Sequence, residues 1–89
     1  MNAAQFKTYY LNSSRVGTAA DVDYFFTGWN KAYGCCFTDA KPWASTDPKY
    51  KVPAICTKVK TAMMSNGCSN TDATRVINAF KKWYKDMYT

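Results

Sequence analysis

From Ala73 onward, large apolar side chains return at every third or fourth position. Val76, Ile77, Phe80, Trp83, Tyr84 and Met87 form one series, while Thr74, Arg75, Asn78, Lys81, Lys82 and Lys85 fall between them. A strand would place neighbours on opposite faces with a period of two. This spacing instead matches the 3.6-residue period of a helix with one apolar stripe. The pattern predicts a helix from Asn70 to about Tyr88, capped by Ser69 with Asp72 three residues later. Burying such a stripe is worth on the order of 1.5 to 3 kcal/mol per large side chain before entropy. The stripe therefore belongs in a core, and the basic face opposite it is left to solvent.

Three further helices are expected upstream. Asn2 and Gln5 have the spacing of a capping box, and Ala3, Phe6 and Tyr10 share a face, which predicts a helix from Asn2 to Leu11 that stops at Asn12-Ser13-Ser14. Gly17 ends the connection. Thr18 with Asp21 can cap a second helix, whose stripe is Ala19, Val22, Phe25, Phe26, Trp29 and Tyr33. Asp21, Asp23, Thr27, Asn30 and Lys31 fall mostly on its other side, and Gly34 is a suitable stop. Gly28 is a weak point inside it, worth about 1 kcal/mol against alanine. Pro53 suits the first turn of a third helix with Ile55, Val59, Ala62 and Met63 on one face and Gly67 at its end.

The fold expected is all-α: one small domain over residues 1–89, with four helices and a long loop between the second and third. Periodicity fails from Cys35 to Val52, where Pro42, Pro48 and Pro53 punctuate the chain. A structureless loop of that length is uncommon in a small domain, so it is either functional or holds a short helix near Trp43.

The residues available limit the chemistry. The chain has no His and no Glu, the side chains that supply most general bases and carboxylate pairs, so a non-enzymatic protein is expected. Cys35, Cys36, Cys56 and Cys68 include no Cys-x-x-Cys pair, so neither a zinc site nor another cofactor is expected, and the thiols read as small core residues. Residues 1 to 5 lack the basic flank and apolar stretch of a signal peptide, and no apolar run is long enough for a bilayer. A cytoplasmic protein without membrane contact is the expectation.

Twelve Lys and Arg against six Asp give a net charge of +6, which points to a polyanionic partner. The stretch from Met63 through Gly67 into the last helix has the outline of a helix-turn-helix, and also of a plain glycine-capped helical hairpin. On the first outline Asn70, Thr71, Thr74, Arg75 and Asn78 reach base edges, and Lys81, Lys82 and Lys85 continue along the phosphates. Between Lys41 and Lys60, Lys41, Lys49, Lys51, Lys58 and Lys60 face only Asp47, with Trp43 and Tyr50 interleaved. Lys58 and Lys60 would hold phosphates, and Trp43 and Tyr50 would stack unpaired bases or anchor a partner. The alternative is that Trp43 closes the core beneath the loop and the lysines are simply solvated. DNA binding is the first expectation for function. A small phage-type inhibitor or adaptor docking on an acidic or nucleic-acid-binding protein surface is the second. Membrane-surface binding by the aromatic and basic end of the last helix ranks below both, because its stripe belongs to a core.

Overall fold

The computed structural model describes residues 3–39 and 51–88. Four helices appear in chain order: α1 (Ala3–Ser13), α2 (Ala19–Tyr33), α3 (Val52–Ser65) and α4 (Asn70–Tyr88), with a 3-10 turn at Phe37–Asp39 after α2. Among the described residues there is no strand. The long connection between α2 and α3 is present. Trp43 and Tyr50, and with them the expected short helix, lie outside the described residues, as does the Asn2 cap.

The ends of the helices follow from local chemistry. α1 ends at Ser13, inside the expected stop at Asn12-Ser13-Ser14, where the Ser13 hydroxyl donates back to the Tyr9 carbonyl at 2.8 Å and the Ser14 N–H reaches Tyr10 O at 3.0 Å. These polar residues close the last turn of the helix through their own hydrogen bonds. At the start of α2 the Thr18 N–H donates to the Asp21 carboxylate at 3.0 Å, and at its end Gly34 takes φ 69° while its N–H donates to Asn30 O at 2.7 Å. Pro53 sits in the first turn of α3. Gly67, at φ 97°, turns the chain so that the Cys68 N–H closes on Met63 O at 3.1 Å, and the Asp72 N–H then donates to the Ser69 hydroxyl at 3.1 Å. A residue with a Cβ is strained at that φ, which is why glycine stands at this corner.

The core takes Phe6 and Tyr10 from α1, Val22, Phe25 and Trp29 from α2, Phe37 from the 3-10 turn, Ile55, Val59 and Met63 from α3, and Ala73, Val76, Ile77, Phe80 and Trp83 from α4. The expected stripes supply these residues, with Ala3, Phe26, Tyr33, Ala62 and Tyr84 only partly buried and the Met87 side chain outside the described residues; two expectations are corrected. Ala19 is exposed, because cover over α2 begins only at Asp21 and Val22. Asp21, expected on the polar side, is 5% exposed. A buried carboxylate needs partners, and Asp21 has three: the Tyr10 hydroxyl at 2.7 Å, the Thr18 N–H, and the Arg75 guanidinium at 3.4 Å. Burial raises the Asp21 pKa, but the Thr18 and Tyr10 hydrogen bonds together with the Arg75 charge outweigh it and hold the carboxyl below its usual range. Burial and the Asp21 carboxylate push the Tyr10 phenol up to about 12.

Gly28 is not a weak point. A Cβ there would stand 2.9 Å from Met63 Cγ and 3.2 Å from both Met63 N and Val59 O, so the α3 backbone passes directly over it. On an open helix Gly→Ala gains about 1 kcal/mol. Here overpacking, typically 1 to 3 kcal/mol, acts against that gain. Gly28→Ala is expected to lower stability by about 1 kcal/mol in urea unfolding. A gain in stability would show that α2 and α3 separate without cost.

Candidate nucleic-acid interface

The candidate surface is the outer strip of α4. Its N-terminal half presents Asn70, Thr71 and Asn78 as exposed side chains, with Thr74 half-buried, and its C-terminal half presents Lys81, Lys82 and Lys85 as exposed. At 1.5 Å of rise per residue the strip is about 22 Å long from Asn70 to Lys85. Ala73, Val76, Ile77, Phe80 and Trp83 of the α4 stripe are buried in the core, so the opposite face is turned outward.

The strip is bounded on both sides. Along one flank the last turns of α1 stand over α4, and Tyr9, Ser13 and Ser14 line a shallow cleft with Arg75, Asn78 and Lys82. Along the other flank α3 runs back beside α4. Cys56, near the start of α3, is pushed up by burial and partly offset by the charge of Lys81, near the end of α4. Lys60 lies one turn beyond Cys56 on the same side of α3 and is half-buried.

Lys58 does not join them. Two residues from Lys60 on a helix means about 200° of rotation, and Lys58 instead places its ammonium 5.1 Å from the centre of the Tyr33 ring at the end of α2. Lys58 and Lys60, close in sequence, thus stand on opposite flanks of α3. Trp43 and Tyr50 lie outside the described residues.

Arg75 occupies a different position from the lysines. Its guanidinium donates to Asp72 Oδ1 at 2.8 Å and to Asp21 Oδ2 at 3.4 Å, and its side chain is 26% exposed. The Asp72 hydrogen bond, followed by that of Tyr10, raises its pKa further. Arg75 thereby ties α4 to α2 through Asp21, and through Asp21 to Tyr10 of α1. The sequence shows the Thr18–Asp21 cap, but the partners of Asp21 on other helices leave no local pattern.

The four cysteines are free; Cys68 is buried, Cys35 and Cys56 are half-buried, and Cys36 is exposed. Burial, with Asp72 and Asp21 adding to it, pushes the Cys68 thiol up. Among the described residues no group of three His, Cys, Asp or Glu is placed to hold a metal ion, and no helix is long and apolar enough to cross a membrane. Compared with protein-family models, with curated proteins and with solved structures, the chain matches none.

Proposed function

We propose that this protein is a non-enzymatic nucleic-acid-binding protein and that the outer strip of α4, together with Lys60 of α3, is the contact surface. The observation that carries this reading is the outward placement of Lys81 and Lys82 beside the exposed amide and hydroxyl groups of Asn70, Thr71 and Asn78. Ammonium groups neutralise phosphates, while amides and hydroxyls donate to phosphate oxygens and sugars. Of the two acidic side chains of α4, Asp72 is paired with Arg75 while its side chain stays 43% exposed, and Asp86 is exposed near the C-terminal end.

The test is a titration of labelled duplex DNA across a salt series. If Lys60, Lys81 and Lys82 each neutralise one phosphate, the slope of log K against log salt is about −2.7, and affinity falls about 40-fold between 50 and 200 mM salt. Saturable binding with that slope is expected, and salt-independent or non-saturable retention would refute the assignment.

A second reading is an adaptor or inhibitor that docks on an acidic protein surface. It is supported by the net charge of +6, which suits an acidic protein surface as well as phosphates. A stoichiometric protein partner that survives nuclease treatment would favour it over the first.

A further inference from the structure

We infer that the α4 surface grips the sugar-phosphate backbone of duplex DNA and does not read base sequence. The inference rests on the nucleic-acid-binding reading above and deepens it. Two independent observations carry it, one of shape and one of chemistry.

The first is the cover on α4. The major groove is about 12 Å wide, and a helix with its side chains is about 10 to 12 Å across. A helix that reads bases must therefore enter the groove with both flanks bare over the inserted turns. On α4, Tyr9, Ser13 and Ser14 of α1 stand beside Arg75, Asn78 and Lys82, and α3 also packs against the helix. What remains is a strip that can lie along a phosphate row. It is not a free cylinder that can sink between two rows.

The second is the state of Arg75, the arginine in the position best suited to guanine. Reading guanine takes a guanidinium whose paired N–H groups are free to bond O6 and N7 together. Arg75 Nη1 bonds Asp72 and Asp21 on two helices, which closes any guanine pair that uses Nη1 and holds the guanidinium in place against α2. Swinging it toward a base would strip Asp21, 5% exposed, of its cationic partner. The Asp72 carboxylate beside it also repels the phosphates flanking any groove it would enter. Lys81 and Lys82 carry no such restraint: as compact charges on flexible stems they neutralise phosphates without demanding a base geometry. Arg75 is thus a positioning residue that holds α4 against α1 and α2.

The experiment binds the full chain to a pool of duplexes carrying a randomised central segment, recovers the bound fraction over several rounds and sequences it. Salt titrations of two unrelated duplexes of equal length are run beside it. The expected result is recovery of DNA with no enriched motif, with the two duplexes within about threefold of one another. Asn78→Ala, an exposed change that leaves the Asp21 network intact, removes a contact to the backbone and is expected to weaken binding of both duplexes by the same small factor. Arg75→Lys is expected to lower the unfolding midpoint while leaving the ratio of the two affinities unchanged. Enrichment of a motif, or a loss on Asn78→Ala confined to one duplex, would overturn the inference while keeping the nucleic-acid reading. Failure to bind any duplex at 50 mM salt would remove both.

Discussion

Phe6→Ala is expected to destabilise the protein by about 3 to 5 kcal/mol, the range for emptying a buried aromatic site. The Phe6 ring is fully buried and lies 5.0 Å from Phe25, 5.3 Å from Trp83, 5.8 Å from Phe80, 6.0 Å from Phe37 and 6.5 Å from Phe26, measured between ring centres. One side chain from α1 therefore touches α2, the 3-10 turn and α4, and the site cannot collapse without moving all three. A chain of this size has a total stability of roughly 4 to 13 kcal/mol, so the variant is expected to be partly unfolded at 37 °C. Urea unfolding of Phe6→Leu, which keeps most of the volume, is expected to show a loss of less than about 2 kcal/mol. If Phe6→Ala costs under 1 kcal/mol, Phe6 is not the junction of the core.

Asp21→Ala is the second large effect, about 3 kcal/mol. Removing the carboxylate leaves the Tyr10 hydroxyl and the Thr18 N–H without their acceptor and takes one of two anionic partners from Arg75. Asp21→Asn keeps an acceptor oxygen but not the charge, and about half of the loss is expected. The pH dependence has a defined sign. The folded pKa of Asp21 lies below its unfolded value near 4, so its contribution is fully present above that pH and is lost as pH falls through the folded value. Wild type is therefore expected to lose stability below about pH 4 more steeply than Asp21→Asn in parallel urea titrations. Equal acid slopes would mean that Asp21 is not held ionised by its neighbours.

The helices were legible in the sequence because each carries its own apolar period and α2, α3 and α4 carry their own start or stop signals. Gly34, Pro53, Gly67 and Ser69 act within a few residues of where they stand, and the structure places them at the helix ends. What could not be read arises between helices. Gly28 looks like a defect on α2 until α3 is laid across it, and Asp21 looks solvated until Tyr10 and Arg75 arrive from 11 residues upstream and 54 downstream. On the candidate surface, the outward face of α4 followed from its stripe alone. The separation of Lys58 from Lys60 was available from helix geometry, but charge counted along the chain conceals it. The engagement of Arg75 was not available, because a polar position on a helix wheel does not say whether a neighbour's carboxylate waits beside it.

The outward cationic strip of α4 as the contact for nucleic acid is tested most directly by Lys81→Ala combined with Lys82→Ala. Both side chains are exposed, so helical content and urea midpoint are expected to match wild type. Titrated with the same labelled duplex, the double variant is expected to bind at least tenfold more weakly at 50 mM salt, with its salt slope reduced by about 2. Unchanged affinity and slope in a folded double variant would contradict the account.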